Sequence, residues 1–227
     1  MATQLGLDLP ARAALGRDDF MISPCNAVAL TMVDAWRTWP SHKLVLSGPS
    51  GAGKTHLAHV WASDTNAQII AAQDLRGEQV ETLAQTPVAI EDVPSIQHDA
   101  AAQTALFHLH NLLHTAGLPL LMTGTQAPTH WAMSLPDLQS RIDAAGHAEL
   151  DPPDDALLAA VLVKLFSDRQ LTPPADVIPY LLIRIERSFD AARRVVAALD
   201  AASLARKRPV TRNLASTVLD KNTVPEG

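Results

Sequence analysis

Residues 48–55 read Gly48-Pro49-Ser50-Gly51-Ala52-Gly53-Lys54-Thr55, a complete match to the phosphate-loop pattern G-x-x-x-x-G-K-[ST]. Glycines at these places let the backbone curl so that successive N–H groups point at one anion. Lys54 then reaches the β and γ phosphates, and the Thr55 hydroxyl is placed to ligate Mg²⁺. The flanks agree. Lys43-Leu44-Val45-Leu46-Ser47 is a short apolar run suited to a buried strand, and Thr55 to Ala62 continues with helical apolar spacing. A strand feeding the N-terminus of a helix is an arrangement that binds phosphate. Pro49, Ser50, Gly51, Ala52, Gly53, Lys54, Thr55 and His56 are therefore the candidate nucleotide-binding stretch, and the implied ligand is a nucleoside di- or triphosphate.

Composition bounds the rest. With 227 residues and 47% hydrophobic content, the chain can bury one α/β domain plus a small appendage. The single cysteine, Cys25, excludes an internal disulfide and fits a reducing compartment. No basic segment followed by an apolar core opens the sequence, and no uncharged apolar run is long enough to span a bilayer, so a cytoplasmic location is expected. The net charge is −6, and it is uneven: residues 1–150 hold 7 Lys/Arg against 14 Asp/Glu, while residues 151–227 hold 11 against 10. An acidic body releases few phosphate counterions, which argues against DNA as a direct main partner. The basic run Arg206-Lys207-Arg208 is short and reads as a solvated helix end beside Pro209.

Apolar runs at Lys43–Ser47, Gln68–Ala72, Val88–Ile90 and Leu118–Thr123, with Ala148–Leu150 a weaker fifth, predict strands. Helical spacing fills the gaps at about Ala27–Trp36, Thr55–Ser63, Asp74–Leu83 and Ala101–Thr115. Alternation of this kind implies a parallel sheet flanked by helices. Asp151-Pro152-Pro153 then breaks the pattern. Beyond it only helices are expected, at Asp154–Arg169 with Asp154 as N-cap, about Ala175–Ile185, Phe189–Arg206 and Thr211–Leu219. The expected fold class is α/β: a nucleotide-binding core over 17–150, followed by a small all-α lid over 151–227.

A phosphate-loop enzyme also needs a carboxylate at the end of a neighbouring strand to hold Mg²⁺ and orient the attacking water. Val88-Ala89-Ile90-Glu91-Asp92 supplies two, at the carboxyl end of a strand where open α/β sheets bind ligands. Glu91 joins Thr55 as a candidate metal residue, and Asp92 is a candidate catalytic one. Leu118 to Thr125 is a second buried strand ending in small polar residues beside the loop.

With these residues assembled, the chain resembles the AAA+ ATPases, and within them the bacterial replication initiator DnaA, from about Asp18 to Leu219. Phe20-Met21-Ile22-Ser23-Pro24-Cys25-Asn26 is similar to the family's N-terminal box, which implies that Phe20 and Asn26 help enclose an adenine. Ala105 to Leu113 resembles the helix after the Mg²⁺ strand. Leu135-Pro136-Asp137-Leu138-Gln139-Ser140-Arg141 is similar to the L-x-S-R segment, in which Arg141 would be an arginine finger acting on a neighbouring subunit's nucleotide. DnaA continues into a helix-turn-helix domain, whereas this sequence ends at Gly227. Instead Gln4-Leu5-Gly6-Leu7-Asp8-Leu9 precedes the core, within an N-terminal peptide and linker over 1–16. Leucines at every second position let an extended peptide present apolar anchors on one side. The pattern resembles the motif that docks on the DNA polymerase sliding clamp, with Gln4, Leu5, Leu7 and Leu9 as clamp-binding residues. That layout resembles the Hda family of DnaA-homologous regulators. The resemblance implies ADP or ATP and Mg²⁺ as cofactors, the clamp and DnaA as partners, DNA contact only through the clamp, and self-association as an option.

Two departures are visible. The Mg²⁺ strand ends Glu91-Asp92 where DnaA has two aspartates, and Ser188-Phe189-Asp190 puts an aspartate where the family's lid carries a sensor arginine, with Arg193 and Arg194 one turn on. Both imply weak or negligible intrinsic ATPase activity. A helicase loader or transposition helper shares this core but would be expected to carry a more basic surface. A small-molecule kinase fits neither the Arg141 segment nor the helical tail. His110 and His114 share a helical face at i, i+4, yet no third ligand accompanies them, and zinc needs three. The four tryptophans are scattered and read as packing anchors.

Overall fold

The computed structural model describes residues 16–222. Five parallel strands, β1 (Lys43–Ser47), β2 (Gln68–Ala71), β3 (Val88–Glu91), β4 (Leu120–Gly124) and β5 (Gly146–Glu149), form one sheet in the order β2-β3-β4-β1-β5. β1 lies between β4 and β5, pairing Lys43 with Leu120 and Leu44 with Gly146. Every residue of β1 and β4 is buried, as expected of strands covered on both faces.

The pleat sorts the side chains to two cores. Val45, Ile90 and Met122 pack with α4 (Ala100–Thr115) through Leu106, Leu109 and Leu113. Leu44, Leu46, Ala89 and Leu121 face the other way, against α1 (Ala27–Asp34) and α2 (Lys54–Thr65) through Leu57 and Trp61. Trp61 stacks on Trp39 at 5.4 Å between ring centroids, and Trp131 is buried in the first core. The helix expected over 74–83 is mostly absent. Arg76 takes an extended backbone, its guanidinium donating to the carbonyls of Gln73 and Leu75, so two 3₁₀ turns precede a short α3 (Val80–Leu83). The 27–36 helix likewise stops at Asp34, before a 3₁₀ turn over Trp36–Thr38.

After α5 (Pro136–Asp143) and β5 the remaining elements are helical: α6 (Asp155–Asp168), α7 (Val177–Leu182), α8 (Phe189–Arg206) and α9 (Arg212–Asn222). They enclose a third core around Leu158, Leu162, Phe166, Leu181 and Val196. Asp154 caps α6, accepting the Leu157 N–H at 2.8 Å, and Ser188 caps α8, accepting the Ala191 N–H at 3.0 Å. Among the described residues, no helix is long and apolar enough to cross a membrane.

Two basic groups are buried at the sheet. Lys43 is 1% exposed, and its Nζ donates to the Leu118 carbonyl at 3.1 Å. Burial pushes its amine down to about 8. On α4, buried His110 is pushed down to about 4, chiefly by burial and also by the charge of Lys43, and its Nδ1 has no hydrogen-bond partner among the described residues. Between about pH 8 and the ordinary lysine value the unfolded chain binds the extra proton, so stability rises with pH across that window and is lowest, for this group, below it. Lys43→Met is expected to flatten that rise by about 2 kcal/mol, read as the difference between wild-type and variant urea-unfolding curves at neutral pH and at about pH 10.

Candidate nucleotide-binding site

From Ser47 the chain turns through the glycine-rich segment into α2. Gly51 (φ 73°) and Gly53 (φ 102°) hold left-handed conformations that side chains rarely adopt. Space forbids a side chain as well. A Cβ on Gly51 would lie 2.6 Å from the Ser188 Cβ, because the start of α8 rests on the loop. The Phe189 N–H donates to the Gly51 carbonyl at 2.9 Å. No side chain caps the start of α2, so its first amides remain free for an anion.

Ser50, Gly51, Gly53, Lys54 and Thr55 line a cavity of about 520 Å³. Lys54 Nζ donates to the carbonyls of Gly48 (2.6 Å) and Pro49 (2.9 Å). Burial lowers its pKa, while Asp92, Asp190 and Glu91 work to raise it. Glu91 and Asp92 line the same cavity. Asp92 has a left-handed backbone (φ 52°); its N–H donates to Thr123 Oγ1 at 3.0 Å, and its carbonyl accepts from Ser95 Oγ at 2.7 Å. One oxygen of Glu91, Oε1, is buried with no hydrogen-bond partner among the described residues. A partnerless buried carboxylate oxygen costs free energy unless a cation or donor meets it. With the Thr55 hydroxyl on the same cavity, the donor set suits a hard divalent cation such as Mg²⁺.

A second cavity of about 380 Å³ adjoins the first, sharing His56, Phe189 and Arg193 with it. Phe20, Met21 and Asn26 line it. Asn26 is buried and shapes the segment before α1: its Oδ1 accepts the Ser23 N–H and its Nδ2 donates to the Met21 carbonyl, both at 2.9 Å. The Phe20 ring meets His56 edge-on at 5.2 Å. Burial lowers the pKa of His56, favouring the neutral imidazole. A cavity lined by Lys54, hydroxyls and carboxylates, joined to one that includes Phe20, Leu157, Val161 and Phe189 among charged side chains, offers room for a polyphosphate joined to a base.

On α8, Asp190 and Arg193 both face the first cavity, joined at 3.0 Å from Nη1 to Oδ1. Arg194 points away toward Glu186. Arg141 lines neither cavity. It is exposed on α5, its guanidinium 5.9 Å from the Phe107 ring centroid, and has no carboxylate partner among the described residues. Gln4, Leu5, Leu7 and Leu9 lie outside the described residues. Sequence reasoning did not single out Phe189 as a cavity residue, although it lies beside Asp190 in the sensor segment, and it missed Gln103. The latter is fully buried on α4. Its amide donates to the carbonyls of Ile96 and Gln97, and its oxygen accepts from Ser134 Oγ and the Leu135 N–H, at 2.8 to 3.1 Å. That amide fixes the start of the helix carrying Arg141.

No protein-family model matches the chain. The chromosomal replication initiator protein DnaA of Cutibacterium acnes is 24% identical over 233 residues, covering 92% of this chain and 46% of that protein. Domain III of the Thermotoga maritima replication initiation protein DnaA superposes with a TM-score of 0.81 at 20% identity, covering 95% of this chain and all of that one. AMPPCP-bound DnaA from Aquifex aeolicus gives 0.69 at 18% identity, over 86% of this chain and 69% of that one. The fold is a DnaA-like AAA+ fold. The chain spans about half the length of the curated relatives it matches.

Gln103→Ala is expected to destabilise the chain by about 1–3 kcal/mol, because it removes the donor to the Gln97 carbonyl and the acceptor of the Leu135 amide, while the Ile96 carbonyl keeps the Asp99 N–H. Urea unfolding measures the loss; a cost below about 0.5 kcal/mol would mean that water replaces the amide freely.

Proposed function

We propose that this chain is a nucleotide-binding AAA+ adaptor of the Hda type, which docks on the sliding clamp and stimulates ATP hydrolysis by DnaA, so restraining replication initiation. The single observation that carries the reading is the placement of Arg141: exposed, without a carboxylate partner among the described residues, and outside both cavities of its own chain. A guanidinium that cannot serve its own phosphate loop is available to a neighbour's, where it would stabilise charge building on the transferred phosphoryl group.

In this reading the amides of 51–55 and Lys54 hold the phosphates of ADP or ATP, and Phe20, Asn26 and His56 surround the base. Thr55 and Glu91 would hold Mg²⁺, which neutralises phosphate charge when bound. Asp92 would orient water, although three carboxylates around the cavity favour slow turnover. The peptide 4–9 tethers the chain to the clamp, with DNA reached only through that ring. The division into a peptide and linker (1–16), a core (17–150) and a lid (151–227), and the cytoplasmic location, belong to the same proposal. Support comes from the DnaA-like fold and, for the adenine nucleotide, from an AMPPCP-bound DnaA among the structural neighbours.

The test is hydrolysis by ATP–DnaA in the presence of clamp and DNA, with and without this protein. The wild type should accelerate hydrolysis. Arg141→Ala should abolish the acceleration, by about a hundredfold or more, while leaving nucleotide and clamp binding intact. Retained acceleration would place the finger elsewhere. Direct single-stranded DNA binding with no clamp co-elution would instead favour a helicase loader.

A further inference from the structure

Asp190 stands where an anion belongs. It lies in the first turn of α8, the positive end of that helix. Its backbone nitrogen is 3.4 Å from the place a Cβ on Gly51 would occupy, so the residue sits directly over the phosphate loop. Its carboxylate holds Arg193 at 3.0 Å, and both line the phosphate cavity. Besides Arg193, the cavity's formal cation is Lys54; against these stand Glu91, Asp92 and Asp190. Arg193 also lines the second cavity, which places it at the junction where a polyphosphate would pass.

We propose that Asp190 is a specificity-determining residue that restrains nucleotide affinity: its carboxylate occupies Arg193 in place of a phosphate and repels the outermost phosphoryl group. The inference rests on the nucleotide-binding reading above. Two effects act together. Any phosphate that recruits Arg193 must first break an existing charge-assisted hydrogen bond, and it then lies beside an unneutralised carboxylate. The pair is about half exposed, so each effect is modest. They fall unequally on ligands, because a triphosphate reaches further into this acidic region than a diphosphate does. The device also links phosphates to the lid. Asp190 follows Phe189, whose amide is bonded to Gly51, so a change of partner at Arg193 is felt by the helix that rests on the loop.

A double-mutant cycle tests this, using the full chain and MgADP and MgATP as titrants in calorimetry. Asp190→Asn keeps the shape and removes the charge. It should tighten MgATP by about fivefold and MgADP by less. Arg193→Ala alone should weaken MgATP, since it leaves the Asp190 carboxylate unneutralised beside the phosphates. The double variant should bind MgATP more weakly than Asp190→Asn alone, because the repulsion is relieved in both but only the single variant has a guanidinium released to the phosphate. Unchanged or weakened MgATP binding by Asp190→Asn, with wild type binding MgADP normally, overturns the inference and leaves the nucleotide site standing. A double variant that binds MgATP as tightly as Asp190→Asn also overturns it, because Arg193 is then not the group released. Absence of binding by wild type and all variants overturns the nucleotide reading and this inference with it. Equal unfolding midpoints for the variants separate these effects from misfolding.

Discussion

The start of α2 is the constraint on which the rest is built. A helix that begins without a side-chain cap leaves amides without partners, and those amides need an anion. Bringing them together takes two residues in left-handed conformations, and only glycine meets both that demand and the close approach of Ser188. The buried strands fix the loop's position. β1 is central and fully buried, so the turn after Ser47 is held on both sides by β4 and β5.

From that turn the other parts follow by position. β3 lies one strand beyond β4, so its end delivers Glu91 and Asp92 to the cavity that Lys54 lines. Thr123 near the end of β4 accepts the Asp92 N–H and so ties the turn after β3 to the neighbouring strand. The helical region meets the loop through the Phe189–Gly51 backbone hydrogen bond, the Ser188 side chain against Gly51, and the cavity-lining Asp190 and Arg193, and it meets the core elsewhere through the Lys164–Asp19 ion pair. The loop therefore senses both the acids of the sheet and the charge pair of α8. Arg141 stands apart from this cluster, held by α5 and the Gln103 amide rather than by any phosphate site of its own chain.

Much of this was legible in the sequence because its causes are local. Lys43–Ser47 and Phe189–Arg206 were found at their observed limits, and Asp154 was found as a cap, since apolar period and capping chemistry act over a few residues. The stretch 74–83 departs from its helical spacing because the Arg76 side chain donates to the Gln73 and Leu75 carbonyls, a competition that periodicity does not register. The role of Gln103 was invisible because its partners lie up to 32 residues away. Whether Arg193 or Arg194 faces the loop cavity depends on helix register, which Ser188 sets by capping α8; Arg193 faces in and Arg194 pairs with Glu186. Lys43, a charged residue in a central strand, gave no local sign of complete burial.

The most direct measurement is a crystal structure of the chain grown with MgADP. Diphosphate oxygens should accept hydrogen bonds from the amides of residues 51–55, with Lys54 Nζ turned from the Gly48 carbonyl to the phosphates and the adenine between Phe20 and Asn26. A diphosphate bound away from those amides, or an adenine outside the Phe20 cavity, would contradict the account.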